Sequence, residues 1–182
     1  MIKDWRESWG YEFPFYYVQI APFTEEGNVG VREAQRKTLE TTENTGMVVL
    51  MDIGERDDIH PHNKQDVGKR LALLALDKDY GFNFVSSGPL YKKHVAEGKF
   101  LYVDFDSKGS GLKFINGKNG FEIAGKDSKF YPATAEIVDN KIRVYSKNVK
   151  NPKNVRYGWR NWTVGTLFNK EGLPASSFSS IN

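Results

Sequence analysis

The sequence contains no cysteine, which excludes disulfides, thiol nucleophiles and cysteine-ligated zinc. Histidine is scarce, so His60, His62 and His94 must carry any imidazole chemistry. No apolar run approaches the roughly 18 residues needed to span a bilayer, and Met1-Ile2-Lys3-Asp4-Trp5 is no signal peptide. Either the protein is cytosolic or its targeting segment lies outside these residues. Neither sign of charge dominates: 26 Lys+Arg against 23 Asp+Glu leave +3, too little for a nucleic-acid footprint. What is present is the mix of a chain that buries a core, with 39% hydrophobic and 14% aromatic residues, which excludes disordered and low-complexity classes. At about 100 to 200 residues per domain, the 182 residues allow one domain or two small ones. No internal repeat of fixed period is visible.

Two halves carry different periods. Up to about Tyr80, strand-like and helix-like segments alternate. Met1 to Trp9 reads as a short helix with Trp5 and Trp9 on one face. Phe15 to Ile20 reads as a buried strand, and Val31 to Thr41 as a helix with a thin apolar side of Val31, Ala34 and Leu39. Gly46 to Ile53 is a nearly continuous apolar run, as expected for a parallel strand covered on both faces. Asn63 then caps a helix that buries Val67, Leu71, Leu74 and Ala75. This is α/β grammar, although two strands are too few for a complete doubly wound sheet.

Beyond Phe82 the helical period gives way to short alternating segments. In Lys99 to Phe105, Leu101, Val103 and Phe105 share one side. Ala133 to Val138 and Lys141 to Tyr145 flank Asp139-Asn140, a two-residue hairpin signal. Phe121 to Ile123 and Val155 to Trp159 read as further strands. The expected architecture is α/β followed by all-β: residues 1–82, then a β-sandwich over residues 83–182, with the boundary near Asn83 to Pro89.

Chemistry concentrates in Asp52-Ile53-Gly54-Glu55-Arg56-Asp57-Asp58-Ile59-His60-Pro61, directly after the apolar run. Ligand sites of open α/β sheets lie at the carboxyl ends of strands. Asp57 and His60 have D-x-x-H spacing, and a carboxylate so placed can accept an Nδ1 proton and leave Nε2 free as a base. Asp58 is the adjacent rival for that acid, and Asp52 a third. The plain alternative is a solvated acidic loop with one surface histidine. For His62 the plain reading is a solvated loop residue rather than a metal ligand, since no third ligand has suitable spacing. His94 reads as an exposed strand position, and Lys147 to Lys153 as a solvated basic loop. Trp159, Trp162, Tyr157 and Phe168 read as either a sugar-stacking platform or, for most of them, buried core.

Met1 to Arg6, Phe13 to Pro22, Arg32-Glu33-Ala34-Gln35, Asp58-Ile59-His60-Pro61 and Asn63 to Gly68 closely resemble the last third of bacterial sialate O-acetylesterases, of the SGNH hydrolase superfamily. Ser87 to Tyr91, Phe121 to Gly125, Val155-Arg156-Tyr157 and Asn169 to Ser176 continue the resemblance, in order, across essentially the whole chain. It implies the carboxy-terminal part of an SGNH-type catalytic domain plus a β-sandwich. In that family a serine near the start of the catalytic domain attacks an acetyl ester on a sugar, and a histidine near its end, matched by His60, serves as base. The resemblance implies no metal or cofactor, a secreted or periplasmic location, and an acetylated carbohydrate substrate. Arg32 and Gln35 belong to the pattern, either at the substrate cleft or as buttresses.

The chain has no Gly-x-Ser-x-Gly, and no serine in the strand-to-helix position of the family's nucleophile. Ser110 reads as a turn, and the serines at 176, 177, 179 and 180 as a tail. The expected partner is thus the amino-terminal portion of the same enzyme, with no nucleic acid and no membrane, and the chain alone is expected to be inactive. The rival expectation is a non-catalytic β-sandwich module that binds glycan or protein.

Overall fold

The computed structural model describes residues 1–118 and 120–181. Its first half runs α1 (Ile2–Trp9), β1 (Phe15–Val18), α2 (Asn28–Thr41), β2 (Thr45–Val48) and α3 (Lys64–Lys78). β1 and β2 pair in parallel, with Phe15 opposite Thr45 and Val18 opposite Val48. The apolar run explains why this pair is central. Val48, Leu50 and Ile53 pack against Leu74, Leu71 and Val67 of α3, whereas Met47, Val49 and Met51 point the other way, onto Tyr17, Leu39 of α2 and Leu90. Both faces are covered, as the sequence predicts. The strand itself stops at Val48, and residues 51–53 turn. Asn63 caps α3 as expected, its side chain accepting the Asp66 N–H at 3.1 Å.

Two expectations for this half change. β1 is half-buried rather than buried. The short helix α1 forms as expected; Trp5 and Trp9 stay 50% and 68% exposed, and the helix buries Arg6, which donates to the carbonyls of Phe13, Glu43 and Asn44. The second change lies on α2, where the polar side is buried: Asn28, Arg32, Glu33 and Arg36 point inward, while of the thin apolar side Val31 and Ala34 are exposed and Leu39 packs inward. Arg36 forks onto Glu33 at 2.9 and 3.0 Å, which satisfies two buried charges with each other.

The second half holds β3 (Leu90–Glu97), β4 (Phe100–Asp106), β5 (Leu112–Phe114), β6 (Phe121–Ala124), β7 (Phe130–Pro132), β8 (Thr134–Val138), β9 (Lys141–Tyr145), β10 (Asn154–Tyr157), β11 (Leu167–Asn169) and β12 (Phe178–Ser179). They form sheets ordered β3-β4-β9-β8 and β12-β10-β6-β7, and a β11-β5 ribbon, all antiparallel. Leu101, Val103 and Phe105 lie on the buried side of β4, and one core joins them to Ile142, Phe121, Tyr157, Leu167 and Phe178. Asp139 and Asn140 sit at φ 48° and 55°, the conformation a two-residue turn between twisted strands requires.

The carboxy-terminal segment returns to the α/β half. Ser176 and Ser177 are fully buried. Ser176 N–H donates to Pro89 O at 3.2 Å, and Ser176 Oγ accepts from Gln19 Nε2 at 2.8 Å. These serines knit the halves together instead of trailing as a tail.

Candidate functional site

Three loops meet at the carboxyl end of the parallel pair. The loop after β1 is tied to the loop after β2 by Thr24, whose N–H and Oγ1 both donate to Arg56 O. Gly54 stands where a Cβ would lie 2.4 Å from Pro22 O, so the close approach admits only glycine. The third loop, residues 158–165, comes from the β half. Its Gly165 N–H donates to Met51 O at 2.7 Å, and its Asn161 O accepts from Phe23 N–H at 3.1 Å.

His60 lies exposed on the loop after β2, and its imidazole makes no hydrogen bond among the described residues. Asp58 Oδ1 accepts the His60 backbone N–H at 2.7 Å, a local turn that shapes the loop. Asp57 is exposed, with Arg56 Nε 4.0 Å from its carboxylate. Neither acid is hydrogen-bonded to the His60 ring in this arrangement. Asp52 is held by a bidentate Arg70 at 2.8 and 2.6 Å, and Arg70 also donates to Val49 O at 2.7 Å. Asp52 thus anchors α3 to the end of β2.

The other two histidines have partners. His62 Nδ1 lies 2.8 and 2.9 Å from the Glu55 oxygens, and its backbone N–H donates to Glu55 Oε1. The hydrogen bond and charge of Glu55 push the imidazole above its ordinary value. The His62 backbone N–H, and then its ring, hold the Glu55 carboxyl low. Asp58 completes a trio whose ligand atoms lie within 4.8 Å of one another, a third neighbour for His62 that spacing did not show. Hydrogen bonds within the loop already engage all three side chains. In β3, His94 Nδ1 lies 2.7 Å from Tyr91 Oη and its Nε2 2.9 Å from Lys153 O. Nε2 must donate to that carbonyl, so Nδ1 accepts from Tyr91.

Sequence reasoning left the role of Arg32 and Gln35 open and missed Gln19. Arg32, fully buried, donates to Asn28 Oδ1, to the carbonyls of Gly158, Arg160 and Asn161, and to Ser177 Oγ. Burial pulls its guanidinium down to about 10, so it remains charged at neutral pH. Gln19 Nε2 bonds Arg32 O and Ser176 Oγ. Gln35 works at the outer edge of β1. Phe15 and Gln19 N–H donate across to β2, so the N–H and C=O of Tyr16 and Val18 point away from it. Gln35 takes Val18 O at 3.2 Å and Ile20 N–H at 2.8 Å, like one residue of an adjoining strand. The signal was the i, i+4 polar row Asn28-Arg32-Arg36 on one helical face.

The four aromatics divide. Tyr157 and Phe168 are buried, at 1% and 6% exposure. Trp159 and Trp162 remain half-exposed and line a cavity of about 370 Å³ with Glu122 and Arg160. Ser110 is held by Glu171 through N–H and Oγ. Lys147, Lys150 and Lys153 are exposed.

No family model matches the chain, and no curated protein matches it. Among solved structures, one described as a novel carbohydrate acetylesterase from Xanthomonas citri is similar, with 41% identity and a TM-score of 0.91 over 99% of this chain and 44% of that one. The chain thus spans less than half the length of that enzyme. Over nearly all of its own length, the likeness connects it with the carbohydrate esterases.

Proposed function

We propose that this chain is the carboxy-terminal portion of a carbohydrate O-acetylesterase of the sialate-esterase-like, SGNH type, and that it contributes the catalytic base, His60. The observation that carries the reading is the likeness to the Xanthomonas acetylesterase across 99% of the chain. Two features of the site support it. His62 and His94 are engaged by Glu55 and by Tyr91 and Lys153, whereas the His60 imidazole is free to meet a nucleophile. A depression of about 330 Å³, lined by Val18, Ile20, Leu50, Ile59, Pro61 and Val67, lies beside the open edge of β1 and the residues that flank His60. Additional strands packed there would cover apolar surface and the outward Tyr16 backbone groups. The β half completes this reading as a sandwich, since residues from all its sheets share one core.

In the proposed reaction a serine of the amino-terminal portion attacks the acetyl carbonyl. His60 Nε2 takes the serine proton and returns it to the departing sugar oxygen, and water then releases acetate by the same route. Asp57 is the first choice to orient the imidazole and Asp58 the second, since catalytic contacts tighten only in the complete site. The test measures acetate release from acetylated xylan and from an aryl acetate by the chain alone, by the amino-terminal portion alone, and by the two together. Turnover only in the mixture is expected. Turnover by the isolated chain that a serine substitution within it abolishes contradicts the reading.

A further inference from the structure

The Trp159–Trp162 cavity has no role in the acyl-transfer chemistry. We propose that it is a saccharide subsite, which holds a neutral pyranose ring of a glycan chain beside the loops that carry His60. The choice of ligand class rests on the carbohydrate-esterase reading; the site itself rests on its own geometry. Trp159 and Trp162 stay half-exposed in a segment whose neighbouring aromatics, Tyr157 and Phe168, are buried. Two large apolar faces are left toward solvent in a concave wall of about 370 Å³, within the size range of small-ligand pockets. The polar groups are few and placed. Arg156 Nε holds one Glu122 oxygen at 2.9 Å, which fixes the carboxylate at the wall and leaves its second oxygen to accept from a hydroxyl. Arg160 supplies exposed N–H donors.

A pyranose ring presents C–H groups on its faces and hydroxyls around its rim, the complement of indole faces with a carboxylate and a guanidinium at the margin. One charge of each sign in the cavity favours a neutral ligand, and the carboxylate disfavours a phosphate backbone.

The platform is also rigid before any ligand arrives. Gly158, Arg160 and Asn161 all give their carbonyls to the buried Arg32, and Asn161 Oδ1 accepts Val29 N–H at 3.3 Å. Gly158 has φ +58°, and a Cβ there would lie 2.8 Å from Met51 Cε. Such pre-organisation lowers the ordering cost of binding. Through Phe23 and Thr24 the same loop is hydrogen-bonded to the segment that leads to His60.

The test titrates the chain with xylohexaose, cellohexaose and an oligogalacturonide of equal length, and follows the indole N–H signals of its four tryptophans. Saturable shifts of Trp159 and Trp162 with a neutral oligosaccharide are expected, with Trp5 and Trp9 unmoved. Trp159→Ala and Trp162→Ala are each expected to weaken binding about tenfold, with the thermal midpoint showing that they fold. Glu122→Gln, which leaves both indoles in place, is expected to weaken it less. His60→Ala is expected to bind as the parent does. No shift with either neutral glycan, binding retained without both tryptophans, or binding of the oligogalacturonide alone overturns the subsite. Esterase turnover in the completed enzyme without glycan binding here overturns only the subsite; glycan binding without turnover overturns only the esterase reading.

Discussion

Replacing Arg32 by methionine keeps the length and much of the volume of the side chain but removes all of its donors. Arg160 O, Asn28 Oδ1 and Ser177 Oγ lose a donor that no other group among the described residues replaces, while Gly158 O keeps Arg160 N–H and Asn161 O keeps Phe23 N–H. Each hydrogen bond to a charged group contributes about 1.5–3 kcal/mol. The sum is offset by the cost of keeping a guanidinium out of water, so the net loss is expected at about 3–5 kcal/mol, since each buried acceptor left unpaired costs about 1–3 kcal/mol. In a chain of 182 residues that corresponds to a fall in Tm of about 6–20 °C. Arg32→Lys restores the charge but not the planar fork, and is expected to recover less than half of the loss. Urea unfolding followed by tryptophan fluorescence and by circular dichroism gives both numbers, and Trp159 and Trp162 report on the loop that Arg32 holds. An Arg32→Met protein within about 1 kcal/mol of the parent refutes the assignment of Arg32 as the clasp between the two halves.

Tyr157→Phe removes the hydroxyl that accepts Thr166 N–H at 2.7 Å and Leu167 N–H at 2.9 Å in the core, and is expected to cost about 1–3 kcal/mol in urea unfolding; an unchanged midpoint contradicts it. For the loop pair, His62 is raised above 6.5 and Glu55 is lowered below 4.5. The histidine contribution is therefore complete below pH 6.5 and lost as pH rises through the folded value. The glutamate contribution is present above pH 4.5 and lost as pH falls through its folded value. NMR titration is expected to show the His62 midpoint falling in Glu55→Gln, and an unmoved midpoint contradicts the pairing. Gly54→Ala is expected to destabilise the junction of the first two loops, because Pro22 O is backbone and cannot yield; a thermal scan matching the parent counts against that close approach.

Much of the fold could be read from the residues because apolar patterning is a local signal. The covered strand after Gly46, the Asn63 cap, the inward Leu101, Val103 and Phe105, and the Asp139-Asn140 hairpin all follow from neighbours in sequence. The inward face of α2 did not. Its apolar residues are few, and the helix packs through Arg32 and Arg36, whose partners include carbonyls more than a hundred residues away. Hydrophobic periodicity is blind to a helix held by polar contacts. The same reason hid Gln19 and turned the buried Ser176 and Ser177 into an expected tail. At the site, spacing located the loop and its histidines, but which carboxylate meets which ring depends on how the loop folds. Glu55 reaches His62 from seven residues away, and Asp58 spends its hydrogen bond on the His60 backbone.

The assignment of the base is tested most directly by acetate release from an aryl acetate by the completed enzyme, comparing His60→Ala with His62→Ala. Both side chains are exposed, so His60→Ala is expected to keep the parent Tm and His62→Ala to lose no more than a surface ion pair contributes. The account predicts that His60→Ala lowers kcat by about 10⁴-fold or more, the scale at which a serine hydrolase loses its base, while His62→Ala stays within about tenfold of the parent, as for a residue outside the reacting group. The reverse order, with the Glu55–His62 pair essential and His60 dispensable, contradicts it.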